Sequence, residues 1–308
     1  MILRFADDLS WMDIIANGNE LAAYLGMDRD ERGKRVYEHP QDRERHVVRI
    51  PRPVLVTDAW RLAQLDPLTR DTAFRLYDSP TRTTEYDGTG IAFTQSRYPG
   101  VWGPSIDTLL FANALRNLAR DGRLASVRTA AELGAGSGFL AKYLLAKAPA
   151  IEQATLVDFN PAATACQRAC VDDPRARFVT GDAVDHIASE RYDLVLCNPP
   201  YIPRPKSVDD NPYEGVGLLR TLIGRAPTYL REGGLLVTNV SSLCEDLIAP
   251  DLERRNVREL TRMEVPLKVL NVLHNPEWMA YLHARGLKRE SRDGYEHWHH
   301  IRILAITP

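Results

Sequence analysis

The chain has 308 residues, 44% of them hydrophobic and 26% charged, with a formal net charge of −2. This is ordinary globular composition for one large or two modest domains, and it excludes a disordered or collagen-like chain. No run reaches the ~18 uninterrupted apolar residues of a membrane helix, so no membrane partner is expected. The first eight residues carry no cationic lead before an apolar stretch, so no secretory signal is expected. Four cysteines are too few for a disulfide framework and fit a reducing cytoplasm. The 39 Lys and Arg against 41 Asp and Glu lack the basic excess of a protein that grips long nucleic acid by its phosphates.

The first 90 or so residues are rich in Arg, Asp and Pro and lack long apolar strands. Leu9 to Leu25 reads as a helix, with Trp11, Ile14, Ile15, Leu21, Ala22 and Leu25 at helical spacing. Arg29 to Arg49 reads as a charged loop or solvated helix, and Thr57 to Tyr77 as a second helix. Thr84 to Gln95 is a hairpin candidate around Asp87-Gly88. Ile106 to Leu118 is an amphipathic helix. These assignments give residues 1–100 as a mainly helical module with a hairpin linker, a candidate for substrate recognition, ahead of a second domain at 101–308.

From residue 129 strands and helices alternate. Strands are expected at Thr129–Leu133, Ala154–Val157, Arg177–Thr180, Tyr192–Cys197 and Leu235–Val240. Helices are expected at Phe139–Ala148, Pro161–Val171, Leu218–Leu230 and Leu243–Arg255, with Glu232-Gly233-Gly234 ending the third of them. Two further β-prone runs, Glu264–Leu273 and Ile301–Thr307, flank a helical insert at Pro276–Arg285. The alternation predicts an α/β fold, a parallel sheet with helices on both faces.

Four motifs carry chemistry. Glu132-Leu133-Gly134-Ala135-Gly136-Ser137-Gly138 lies where a strand turns into a helix, where small residues let the chain bend and a ligand approach the main chain. A dinucleotide fingerprint needs Gly or Ala at position 139, which is Phe139 here. Asp158, 20 residues after Gly138 at the end of the next strand, can accept from both hydroxyls of a ribose, and Phe159 beside it offers an apolar face to adenine. Gly181-Asp182-Ala183 follows the third strand, with a carboxylate for the adenine amino group and a backbone N–H beside it. Each of these three segments alone is also compatible with a plain structural turn.

The fourth motif, Asn198-Pro199-Pro200-Tyr201, directly follows the buried strand Asp193–Cys197. Two prolines force the chain out of the sheet in a fixed shape. The Asn side-chain oxygen and a Pro carbonyl are then two acceptors aimed at one point, suited to both protons of a planar –NH₂ group, and Tyr201 supplies a stacking face. The bland alternative is a rigid loop.

In this order the motifs resemble the class I S-adenosylmethionine-dependent methyltransferases over residues 129–240. N-P-P-Y resembles the branch that methylates nitrogen on planar groups, which includes N6-adenine enzymes and the release-factor glutamine (HemK-type) methyltransferases. The helical module with its hairpin favours the HemK type. So does the approach segment Val101-Trp102-Gly103-Pro104-Ser105-Ile106-Asp107-Thr108, with its Pro and acidic-Thr pair, and Glu214–Leu218 is a loose echo of that family's Gly-rich segment. Ser105 stands where the family has Arg, and residues 29–52 and 276–295 have no counterpart.

The resemblance implies a Rossmann-like seven-stranded sheet and S-adenosyl-L-methionine as cofactor. It implies that Glu132, Gly134, Gly136, Gly138, Asp158, Phe159, Asp182, Ala183 and Asn198 hold that donor. Asn198, Pro199, Pro200 and Tyr201 are implied as the catalytic turn, acting on a protein or peptide glutamine, with no strong general base and no catalytic His. The alternatives are adenine N6 or another base nitrogen in RNA or DNA, or a small molecule. Phe139 opposes a nicotinamide-dependent oxidoreductase. No metal is expected: Cys166 and Cys170 read as buried packing, and His297, His299 and His300 as a solvated strand end. Trp278 and Tyr281 read as core.

Overall fold

In the computed structural model the backbone is described at residues 2–5, 12–15, 22–23, 37–38, 45–46, 81–94, 97–98, 101–206, 215–267, 270–273, 275–292 and 295–308. Near the N-terminus, β1 (Ile2–Phe5) pairs with β2 (Met12–Ile15) and β3 (Ala22–Ala23), and β4 (Tyr37–Glu38) pairs with β5 (Arg45–His46). This corrects the helix expected over Leu9–Leu25 at positions 12–15 and 22–23. Short apolar runs fit either period, and the β-branched Ile14-Ile15 finds a ladder partner in Ile2–Phe5. The helix expected at Thr57–Tyr77 lies outside the described residues.

The Asp-Gly hairpin forms as its turn chemistry predicts. β6 (Thr81–Tyr86) and β7 (Thr89–Thr94) are joined at Asp87 (φ 49°) and Gly88 (φ 76°), both in the left-handed region a two-residue hairpin turn requires. Ile91 and Phe93 are buried. Asp87 accepts from Tyr143 Oη at 2.9 Å and pairs with Lys147 Nζ at 3.0 Å, so the turn docks on a helix of the following unit.

That unit is one mixed sheet. β8 (Thr129–Leu133), β9 (Gln153–Asp158), β10 (Ala176–Thr180), β11 (Tyr192–Cys197) and β12 (Leu230–Ser241) run parallel. β13 (Asn256–Pro266), β14 (Lys288–Arg292) and β15 (Tyr295–Thr307) close its far side. The order is β10-β9-β8-β11-β12-β15-β13, seven strands on one path, with β14 pairing β15 as an eighth. Helices cover both faces, giving the Rossmann-like architecture. One face packs α1 (Ile106–Arg120), α2 (Phe139–Lys147) and α3 (Pro161–Cys170). The other packs α5 (Gly217–Tyr229) and α6 (Glu245–Leu252), which follow the single turn α4 (Ala183–His186). Leu194 and Leu196 enter the first core and Val195 and Cys197 the second, so β11 is apolar without a break from Leu194 to Cys197. A third cluster joins Ile202, Leu243 and Leu267 to α7 (Leu270–Leu273) and α8 (Pro276–Ala284) through Val272, Trp278 and Leu282. Among the described residues no helix is long and apolar enough to cross a membrane.

Two further expectations need correction. Glu232-Gly233-Gly234 does not separate a helix from a strand, because β12 already starts at Leu230. The ladder with β11 shifts register between Leu230 and Leu235, and a Cβ on Gly234 would stand 2.8 Å from Arg231 O and 3.0 Å from Tyr192 O. The glycine pair marks a bulge inside the strand. The strand expected at Glu264–Leu273 instead spans Asn256–Pro266, and 270–273 is helical. Its charged, solvent-facing edge disguises it as loop.

The topology fixes where a ligand can sit. The chain leaves β8 toward β9 and β10, then returns to place β11 on the other side of β8. The crevice at this reversal, outside the carboxyl ends of β8 and β11, is where open α/β sheets bind ligands. Cys197 pairs with Leu133 and Leu133 with Val157, so the glycine turn, Asp158 and Asn198 all leave the sheet at one level.

Candidate active site

The glycine turn begins where β8 ends. Gly134, Gly136 and Gly138 have φ of 65°, 51° and 79°, all left-handed, which accounts for glycine at alternate positions. At Gly138, the N-cap of α2, a Cβ would stand 3.0 Å from Leu156 Cδ2 and from Val171 Cγ2, so the helix starts hard against the sheet. At Gly136 a Cβ would meet Trp102 O at 3.2 Å, so the approach segment 101–105 crosses over the turn. Around Gly134 the corresponding space is open, a cradle above the main chain.

Two buried carboxyls flank the turn. Asp158 Oδ2 accepts from Gly136 N at 2.8 Å and Oδ1 from Asn160 N at 2.9 Å, so one side chain holds both the glycine turn and the entry to α3. Burial pushes its pKa up against these two bonds. Glu132 Oε2 accepts from Ala141 N at 2.7 Å, tying the end of β8 to α2. Burial, opposed by that bond and helped by the charge of Asp158, pushes Glu132 up to about 8.

The pKa of Glu132 has a measurable consequence. Its folded value lies above the unfolded 4.5, so the folded chain keeps a proton that the unfolded chain releases. The stability this contributes is complete below about 4.5 and is lost as pH rises through about 8, by up to ~1.4 kcal/mol per pH unit. Glu132→Gln resembles the protonated form and removes this slope. In urea unfolding the variant should gain on the parent steadily from pH 5 to about 8.5; a stability difference that stays constant over that window would contradict the assignment.

Asp182 caps α4, with Oδ1 accepting from Val184 N at 2.7 Å and Asp185 N at 3.2 Å. Gly181 N donates to Asp158 O at 2.9 Å, which sets the Asp182-Ala183 turn beside the end of β9. Phe159 remains 40% exposed next to Asp158. The open cradle, the neighbouring carboxyls and the exposed aromatic fit a donor that combines a cationic centre, a ribose and a flat base.

On the other side of the crevice, Asn198 leaves β11. Its Nδ2 donates to Asp107 Oδ2 at 3.0 Å and makes a longer contact to Thr108 Oγ1 at 3.5 Å. A carboxylate only accepts, so the amide nitrogen must face Asp107 and the amide oxygen must face away. That oxygen, Asn198 Oδ1, is buried and has no hydrogen-bond partner among the described residues. An orphaned buried acceptor costs about 1–3 kcal/mol and calls for a donor.

Tyr201 Oη reaches the same Asp107 Oδ2 at 3.5 Å. Burial and the Asp107 charge hold its phenol well above the ordinary range, so it stays neutral. The Tyr201 ring lies 6.1 Å from that of His299. His299 is 3% exposed, contacts Ser241 Oγ through Nδ1 at 2.9 Å, and is pushed down to about 4 chiefly by burial. It is thus a neutral buried ring against the Asn198–Tyr201 turn, which corrects the expected solvated strand end: β15 extends back to Tyr295 and carries His299 into the core. Beyond the turn, Trp278 Nε1 donates to Pro203 O at 2.7 Å, so the late insert pins the chain leaving the two prolines.

The expected donor residues at 132–138 and 158 therefore surround one turn, with 181–183 beside them, and β8–β11 pairing brings Asn198 to the same crevice. Trp278 is in the core as expected; motif reading missed the Asn198–Asp107 bond, the burial of His299 and the Trp278–Pro203 bond.

A family model described as a methyltransferase small domain matches residues 105–260, half of the chain. The ribosomal RNA large subunit methyltransferase G of Aeromonas salmonicida (strain A449) is 39% identical over 82 residues, 25% of this chain and 22% of that protein. The release factor glutamine methyltransferase of Xylella fastidiosa (strain 9a5c) is 33% identical over 131 residues, 37% and 46% of the two chains. That of Geobacter sulfurreducens is 27% identical over 175 residues, 51% and 58% of the two chains. The chain thus spans between a fifth and three fifths of the length of these relatives.

Proposed function

The chain belongs to the methyltransferase small domain family, and from that premise we propose an S-adenosylmethionine-dependent N-methyltransferase whose acceptor is the side-chain amide of a protein or peptide glutamine. The observation that carries this reading is Asn198 Oδ1, a buried acceptor without a partner among the described residues, presented beside the glycine turn. The release factor and glutamine methyltransferases among the relatives support the choice of acceptor.

The bound donor supplies a methyl group already electrophilic on a sulfonium. The chain's own residues bind, align and exclude water. Gly134, with open space above it, admits the donor close to the main chain, while Gly136 and Gly138 shape the turn beneath Trp102 O and against the sheet; Asp158, Phe159, Asp182 and Ala183 receive its nucleoside. Asn198 Oδ1 and the Pro199 carbonyl accept the two N–H groups of the acceptor amide. They return electron density to a delocalised nitrogen and stabilise the positive charge that develops there. Pro200 fixes the turn and Tyr201 stacks on the flat group. The surplus proton leaves to water, without a general base. Residues 101–308 form the catalytic unit in this reading, and residues 1–100 serve acceptor recognition.

A base nitrogen in RNA is the second reading, favoured by the ribosomal RNA methyltransferase among the relatives. Incubation with a lysate and donor tritiated in the methyl group separates the two. Label in protein that is released as methylamine by acid hydrolysis supports the glutamine reading. Label in RNA overturns the acceptor, and no transfer to any fraction overturns the enzyme.

A further inference from the structure

We propose that Asp107 is a positioning residue: it locks the side-chain amide of Asn198 in the one orientation that presents an oxygen to the acceptor. The proposal rests on reading Asn198 as the acceptor clamp. The oxygen and nitrogen ends of an asparagine amide have nearly the same size and shape, so packing alone does not choose between them. Presented nitrogen first, Asn198 would aim donors at the donors of the acceptor's –NH₂ group. The turn would then repel the substrate it is built to hold. Something must fix the choice, and the fixing group has to be one that cannot donate.

Asp107 meets that requirement. Its Oδ2 takes Asn198 Nδ2 at 3.0 Å and faces Tyr201 Oη at 3.5 Å, so one carboxylate oxygen addresses both polar side chains of the catalytic turn. Its other oxygen accepts from Ser105 Oγ. Asp107 also lies in the first turn of α1, where the helix dipole favours a negative charge. A capping box holds that turn, with Ser105 N donating to Thr108 Oγ1 at 3.3 Å. Asp107 and Asn198 are 91 residues apart, so the lock joins the approach segment, which crosses the glycine turn at Trp102, to the acceptor turn.

Asp107→Asn tests this, because it is isosteric but can donate as well as accept, which frees Asn198 to flip. Asp107→Ser is the second variant should the first fail to fold. Activity is read with tritiated S-adenosylmethionine and whichever lysate fraction, protein or RNA, takes up label. Turnover should fall by on the order of a hundredfold while the Kd for S-adenosylmethionine stays within about twofold. A role acting through Asn198 also predicts that Asp107→Asn adds no further loss in an Asn198→Ala background. Turnover near the parent value, or losses that multiply in the double variant, would overturn the proposal.

A second measurement needs no acceptor. In a spectrum of chain labelled with ¹⁵N at asparagine, the Asn198 side-chain protons should exchange slowly in the parent and fast in Asp107→Asn; equal rates overturn the lock. If label enters RNA, the glutamine reading fails while these outcomes still decide the role of Asp107.

Discussion

Asn198→Ala is expected to lower turnover about 10²- to 10³-fold while leaving S-adenosylmethionine binding within about threefold of the parent. The magnitude follows from what Asn198 Oδ1 does. It is buried and without a competing partner among the described residues, so in the proposed mechanism it is a preorganised acceptor that needs no rearrangement when positive charge appears on the acceptor nitrogen. Such groups act where water is excluded, and removing one from an active site costs two to three orders of magnitude. The proposed donor cradle lies across the crevice at residues 132–138 and 158, and among the described residues the Asn198 side chain bonds to Asp107 and Thr108 rather than to it, so the affinity change should be small. The truncation also frees Asp107 Oδ2 from one partner, but Tyr201 remains on Oδ2 and Ser105 on Oδ1, so folding should survive. Single-turnover kinetics with a calorimetric Kd read both quantities; a normal rate, or a rate loss fully explained by weaker donor binding, contradicts the clamp.

Asp158→Ala should act on the opposite quantity and also on folding. Both carboxylate oxygens take backbone N–H groups, Gly136 at 2.8 Å and Asn160 at 2.9 Å, and the residue is 8% exposed. Hydrogen bonds to a charged group contribute about 1.5–3 kcal/mol each, so losing two should cost about 3–6 kcal/mol in urea unfolding. The glycine turn loses its tie to β9 together with the carboxylate assigned to the ribose. The Kd for S-adenosylmethionine should therefore rise by on the order of a hundredfold, while turnover at saturating donor falls much less. Unchanged stability would show that the turn is held by other bonds, and an unchanged Kd would remove Asp158 from the donor site.

The central strands were legible because they are buried on both faces. Thr129–Leu133 and Tyr192–Cys197 match the expected bounds, since a mainly apolar run, broken only by Thr129, Glu132 and Asp193, is what a parallel strand between two helix layers requires. The edge was not legible: Asn256–Pro266 is half solvated, and its alternating charges hide its period. The Gly233-Gly234 bulge misled for a related reason, because a glycine pair reads as a break unless its cross-strand neighbour, Tyr192 O, is known. The site divides in the same way. Residues that act within one turn, such as Gly134 to Gly138, announce themselves by spacing. Partners supplied from a distance do not, since nothing local marks Trp278 for Pro203, 75 residues away, or His299 for Ser241, 58 residues away.

In the proposed mechanism the glycine turn and Asn198 serve one reaction from two sides of the same crevice. A crystal structure of the chain with S-adenosylmethionine bound tests it most directly. The donor should lie over the open space at Gly134 with its methyl group facing Asn198 Oδ1, and Asn198 Nδ2 should still be on Asp107. A donor bound elsewhere, or an Asn198 oxygen turned away from the methyl group, would contradict it.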